Sequence, residues 1–293
     1  MAFDQKEQKK YHGVIVPMIT PLTNEGELDE PAVRRVVDHL VGGGVHGIFI
    51  LGTTGEGPSV PRDVRPRMVH VALEAAAGRV PVYAGVFDSV VAESIEAARD
   101  YLKRGAAAVV AQLPSYFRLT ADEQFRYFAA LTERVRGPVM LYDIPEIVHM
   151  SIDPGVIEHL RVFPNIVGIK DSSSDRARLE ALLESYCGDS GFCVLVGSSA
   201  LAAYGMENGA DGFVPSAGNL NPALCARLYA AAQTGDTMLM NNLQADLDAL
   251  QAEFAVDGYP GRGVARLKQR MAQRGLCGPR VYAPLAMEEP VAK

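Results

Sequence analysis

The chain has little that could engage a polyanion. Across 293 residues no run of basic side chains is longer than a pair, and 35 acidic residues outnumber 28 basic ones for a net charge of −7. That balance argues against a nucleic-acid or anionic-membrane binder and leaves a small soluble molecule as the expected partner. Cysteine is scarce: Cys187, Cys193, Cys225 and Cys277 form no C-x-x-C pair and are too few to staple a chain this long, so reduced thiols are expected. No stretch approaches the roughly 18 to 20 apolar residues of a membrane span. Residues 1–10 are polar and hold no apolar targeting core, which makes the cytoplasm the expected location. The six histidines include no H-E-x-x-H and, with the cysteines, no compact ligand set, so no metal is expected. A G-x-x-x-x-G-K-[ST] phosphate loop and a G-x-S-x-G elbow are also missing, which removes nucleotide hydrolysis and the common serine hydrolase design.

What the chain does have is a globular balance, 48% hydrophobic and 22% charged, with a strong period. Eight short Val- and Ile-rich runs recur, at 13–20, 47–52, 80–86, 107–114, 138–143, 166–170, 193–197 and 209–215. Their continuous apolarity marks strands covered on both faces. Between them lie amphipathic segments: 29–41, 90–104, 174–186, and one opened by the capping box Thr120-Ala-Asp-Glu123. Eight strands alternating with helices predict an α/β fold, a closed (β/α)8 TIM barrel over residues 1–221. An open doubly wound sheet is the alternative, but no G-x-G-x-x-G follows the first strand. Beyond Pro222 the pattern turns helical, through 224–232, 238–254 and 264–271, so residues 222–293 are expected as a helical extension of the same domain.

Barrel enzymes place reacting groups at the C-terminal ends of strands. Of seven lysines, at positions 6, 9, 10, 103, 170, 268 and 293, Lys170 alone ends an apolar run, Ile166-Val-Gly-Ile-Lys. Desolvation there would favour the neutral amine that attacks a carbonyl to form a Schiff base. The alternative is a lysine snorkelling to pair with Asp171 or another acid. Tyr142, in Leu141-Tyr-Asp-Ile-Pro145, could shuttle a proton, or simply fill the barrel top. The loop Gly52-Thr-Thr-Gly-Glu-Gly57 could cradle an anion with backbone N–H groups and the hydroxyls of Thr53 and Thr54, or be a plain tight turn. Asp143, Glu146, His149 and Ser172 are further polar candidates at the same mouth, or simply solvated loop residues.

Gly52-Thr-Thr-Gly-Glu56 after the second strand, Leu141-Tyr-Asp-Ile-Pro145 at the fifth and Gly168-Ile-Lys-Asp171 at the sixth, in that order, resemble the dihydrodipicolinate synthase and N-acetylneuraminate lyase family. The resemblance extends over nearly the whole chain. It implies a class I aldolase-type barrel without a separate cofactor, in which Lys170 forms the Schiff base with a 2-keto acid, usually pyruvate or a pyruvate-derived moiety. It further implies that Tyr142 is the proton shuttle and that Thr53 and Thr54, beside Gly52, hold the keto-acid carboxylate. Tyr116, in Leu113-Pro-Ser-Tyr116, would complete the relay with Thr53 across a subunit interface, in a homo-oligomer, dimer or tetramer. Val214 and Ser216 would line the pocket.

The sequence departs from the synthase pattern at the second substrate. Synthases carry an arginine five residues after the strand-five tyrosine, where this chain has Ile147, and an aliphatic side chain cannot replace a bidentate guanidinium. Ser115 stands where synthases tend to have the first of two tyrosines, and Asp143 where they have asparagine. The expected activity is therefore reversible cleavage of a 2-keto acid, such as a 2-keto-3-deoxy sugar acid, to pyruvate and an aldehyde. Dihydrodipicolinate synthesis, dehydration of a keto-deoxy sugar acid, and a non-catalytic keto-acid-binding barrel are the alternatives.

Overall fold

The computed structural model describes residues 9–286. Eight parallel strands close a barrel in chain order: β1 Gly13–Pro17, β2 Gly47–Ile50, β3 Val82–Val86, β4 Ala108–Gln112, β5 Val139–Asp143, β6 Ile166–Asp171, β7 Cys193–Val196 and β8 Gly212–Phe213. Each lies at one of the apolar runs, and every strand residue except Val167 is buried, as burial on both faces requires. Helices α1 Glu30–Gly42, α2 Arg65–Ala76, α3 Val91–Arg104, α4 Ala121–Arg134, α5 Pro145–Val148, α6 Pro154–Leu160, α7 Arg176–Tyr186 and α8 Ala202–Glu207 connect them. Three more follow β8: α9 Pro222–Thr234, α10 Thr237–Ala252 and α11 Pro260–Gln273.

The local chemistry of the helix starts is visible. Asp29 accepts the Ala32 N–H at 3.0 Å ahead of α1. Thr120 and Glu123 exchange the reciprocal bonds of a capping box, Thr120 N–H to the Glu123 carboxylate at 2.8 Å and Glu123 N–H to the Thr120 hydroxyl at 3.4 Å.

Two close approaches fix the barrel where the site needs it. At the closing seam Gly13 pairs with Gly212, and a Cβ on Gly212 would lie 2.1 Å from the Gly13 carbonyl oxygen. Two residues before Lys170, a Cβ on Gly168 would lie 2.3 Å from the Cys193 carbonyl oxygen, so only glycine lets β6 approach β7. Buried Asn219 bolts the turn after β8 to β1: its amide donates to the Pro17 carbonyl at 2.8 Å and its oxygen accepts from Ile19 N–H at 3.2 Å. Among the described residues no helix is long and apolar enough to cross a membrane, and none of the four cysteines is in a disulfide.

Candidate active site

β5 and β6 run in register with Tyr142 beside Lys170 and Asp143 beside Asp171. Side chains alternate along a strand, so the first pair faces one way and the second the other. Lys170 is 5% exposed, and its ammonium nitrogen sits 3.7 Å from the centroid of the Tyr142 ring and 5.1 Å from that of Phe49. The Phe49 and Tyr142 rings meet edge to face at 83°. Burial pulls the Lys170 pKa down, with proximity to Tyr142 acting in the opposite direction. No carboxylate pairs with Lys170 among the described residues. Asp171, the partner that a snorkelling lysine would need, instead accepts from the Ser173 hydroxyl at 3.0 Å and lies 3.6 Å from the Arg178 guanidinium.

The Tyr142 hydroxyl lies 3.3 Å from the Thr53 hydroxyl, which joins the strand-five phenol to the loop after β2. That loop is tightly folded. Leu51 and Glu56 both adopt left-handed backbone (φ 56° and 55°), Glu56 N–H bonds the Thr53 carbonyl at 3.0 Å, and Gly57 N–H bonds the Gly52 carbonyl at 3.0 Å. Gly52 rests against the Phe49 ring, where a Cβ would come within 2.6 Å. Thr53 and Thr54 also line a cavity of about 330 Å³, walled by Glu146 and Ser216, by Gln251, Val264 and Leu267 of the C-terminal helices, and by Asp257 between α10 and α11. Ser216 donates to the Gln251 side-chain oxygen at 3.3 Å.

The structure thus brings Lys170, Tyr142 and Thr53 together, and Thr54 and Ser216 share with Thr53 a cavity that neither Lys170 nor Tyr142 lines. Val214 is 4% exposed and Ile147 half-buried, and neither is among the residues that line the cavity. Tyr116 stands apart, 81% exposed on the loop after β4 with its ring edge-on to Phe117. His149 is exposed at the end of α5. Ser172 is half-buried, and its N–H donates to the Asp143 carbonyl at 2.8 Å.

Asp143 is not a polar group of the mouth. Its side chain is fully enclosed behind the strand, 2.7 Å from the Arg178 guanidinium and accepting the Ile152 N–H at 3.0 Å. Burial raises its carboxyl to about 6, against the opposing pull of Arg178. Sequence reasoning also missed Arg178, Phe49 and an ion pair between Glu56 and Lys268, in which both side chains are fully enclosed. Glu56 lies inside the glycine-rich motif, but Lys268 carries no sequence signal beyond its place on an amphipathic helix. Among the described residues no three His, Cys, Asp or Glu side chains are grouped to hold a metal.

A closed (β/α)8 barrel with an enclosed lysine near the C-terminal end of strand six, facing a phenol and no acid, defines a class I aldolase-type enzyme. The comparisons agree. The profile of the dihydrodipicolinate synthetase family matches residues 10–290, and the chain belongs to that family of pyruvate-dependent lyases. It is 31% identical to a 4-hydroxy-tetrahydrodipicolinate synthase of Phenylobacterium zucineum over 97% of this chain and 94% of that one. The dihydrodipicolinate synthase structure from Bacteroides thetaiotaomicron superposes with a TM-score of 0.90 at 30% identity, covering 96% of this chain and 95% of that one. The E. coli prophage protein YagE, a family member solved in complex with pyruvate, gives a TM-score of 0.90 at 27% identity, covering 96% and 95%.

Proposed function

We propose that the protein cleaves a polyhydroxylated 2-keto acid, of the 2-keto-3-deoxy sugar-acid kind, to pyruvate and an aldehyde through a Schiff base on Lys170. The observation that carries the reading is the enclosed Lys170 amine 3.7 Å from the Tyr142 ring, with the Tyr142 hydroxyl 3.3 Å from Thr53. Neutral Lys170 attacks the C2 carbonyl, Tyr142 gives its proton to the departing hydroxyl, and water leaves an iminium. The C3–C4 bond then breaks, its electrons pass to the iminium to give an enamine, and the Tyr142 phenolate takes the C4 hydroxyl proton as the aldehyde forms. Tyr142 returns that proton to C3, and water hydrolyses the imine to pyruvate and free lysine. Thr53 and Thr54 hold the keto-acid carboxylate with hydroxyl and backbone donors.

The cavity wall supports a hydroxylated aldehyde over a carboxylated one. Its ionisable lining residues are Glu146 and Asp257, both acidic, and no lysine or arginine is among its described lining residues. A second carboxylate would meet repulsion there and find no guanidinium. The reading includes a homo-oligomer in which Tyr116 of one copy joins the Thr53 relay of another. Its support is the exposure of Tyr116 and Phe117, 81% and 71%, beside a cleft with mostly apolar walls including Val91, Leu119 and Tyr127. It also places the enzyme in the cytoplasm, consistent with four cysteines outside any disulfide.

Condensation of pyruvate with an aldehyde, as in a 4-hydroxy-tetrahydrodipicolinate synthase, is the second reading, favoured by the names of the relatives. Borohydride reduction with pyruvate, followed by intact and peptide mass analysis, tests the shared covalent step. One pyruvyl adduct on Lys170, absent from Lys170→Ala, is expected, and an adduct elsewhere or none refutes both readings. Product analysis then separates them: cleavage shortens the carbon chain, condensation lengthens it, and dehydration keeps every carbon while losing water.

A further inference from the structure

We propose that Lys268, through its ion pair with Glu56, is a positioning residue for the loop that carries Thr53 and Thr54, so that residues 260–282 belong to the substrate-binding apparatus. The inference rests on the reading of that loop as the holder of the keto-acid carboxylate.

Three observations lead there. First, the loop is strained and needs an outside restraint. Thr53 and Thr54 lie between Leu51 and Glu56, both non-glycine residues at positive φ (56° and 55°), a backbone that persists only where its surroundings over-determine it. Second, the restraint comes from the far end of the chain. The Glu56 carboxylate pairs with the Lys268 ammonium through Oε1 and accepts Tyr282 N–H through Oε2 at 2.6 Å, while Lys268 donates to the Arg280 carbonyl at 2.7 Å. Oε1 has no other hydrogen-bond partner in the described structure, so without Lys268 it is stranded. Third, the helix that supplies Lys268 also walls the site. Gly263, Val264 and Leu267 of α11 line the cavity that Thr53 and Thr54 line from the other side. The clasp therefore sets both the loop's shape and the width of the space above it.

A pair that only stabilised the fold would be replaceable by uncharged groups of similar size, because burying two charges offsets most of their attraction. The double variant Glu56→Gln/Lys268→Met makes that replacement, while the glutamine keeps an acceptor for Tyr282 N–H. The single variant Glu56→Gln keeps the shape and leaves Lys268 free to lose its proton, and serves should the double variant fail to fold. The measurement is the pyruvate concentration that half-saturates borohydride trapping, at a temperature where circular dichroism reports each protein folded, with amide exchange of residues 51–57 beside it.

Both variants are expected to need about tenfold to a hundredfold more pyruvate, with a smaller change in the trapping rate at saturation and faster exchange in the loop. Wild-type half-saturation and wild-type exchange in a folded variant, whatever its melting temperature, overturn the proposal. A wild type that forms no adduct at all marks failure of the Schiff-base reading instead, and amide exchange still decides whether the pair holds the loop.

Discussion

Lys170 lies over the face of Tyr142 because the two residues are register partners on adjacent strands, and the same pairing turns Asp143 and Asp171 together behind the sheet. One strand pair thus builds two unlike environments. In front is an amine among aromatic rings. Behind, two carboxylates share one guanidinium, that of Arg178. Burial lowers the pKa of both deeply buried lysines among the described residues, but at Lys268 the facing carboxylate of Glu56 opposes that pull, whereas Lys170 faces no acid.

Tyr142→Phe keeps the ring against Phe49 and Lys170 and removes only the hydroxyl. Turnover is expected to fall about 10²- to 10⁴-fold, the range for loss of a general acid–base group. Melting should stay close to wild type, since the ring contact is retained. Turnover within a few-fold of wild type would remove Tyr142 from the proton path.

Thr53→Val is nearly isosteric and deletes the partner 3.3 Å from the phenol. A loss of about 10²-fold in kcat/KM is expected, with Thr53→Ser retaining most activity because it keeps the hydroxyl. Equal loss in both variants would assign the effect to loop shape.

The pH dependence of imine formation follows from burial. Lys170 is held below the ordinary lysine value of 10.5, so its nucleophilic fraction rises as pH climbs through that lowered value. The ascending limb of kcat/KM for pyruvate should therefore lie below pH 10.5. In Tyr142→Phe it should move lower still, because proximity to Tyr142 favours the ammonium. A limb at the ordinary lysine value would show that the amine is solvated.

Asp143→Asn tests the cluster behind the strands. The carboxyl is raised from 3.8 to about 6, so between those values the folded chain binds more protons than the unfolded one. This group's contribution to stability consequently falls as pH rises from about 4 to about 6 and is constant above that. The difference in unfolding free energy, variant minus wild type, should grow by about 1–3 kcal/mol across that window and then level off. Urea denaturation at a series of pH values measures it, and a flat difference would mean that Asp143 ionises like an exposed carboxylate.

The barrel was legible in the sequence because strands buried on both faces must be continuously apolar; seven of the eight runs contain their strand, and β6 passes the end of its run by one residue, Asp171. Lys170 was legible for the complementary reason, as a charge at the end of such a run. Asp143 was misplaced by grouping it with Glu146, His149 and Ser172 at the mouth, although it directly follows Tyr142 on β5 and neighbours on a strand point to opposite faces. Lys268 was invisible because its meaning lies in a partner at the other end of the chain. On a helix with Arg262, Arg266 and Arg270 it reads as one more solvated cation, and only the fold turns it inward to Glu56.

Glu56 is translated early, and all eight strands, β1 to β8, precede Lys268, Arg280 and Tyr282 in the chain. A nascent polypeptide therefore has every strand of its barrel, and Lys170 within it, before the groups that fasten the loop exist. On the clasp proposed above, capture of a keto acid waits for α11 and the segment to Tyr282, which are made after every strand of the barrel.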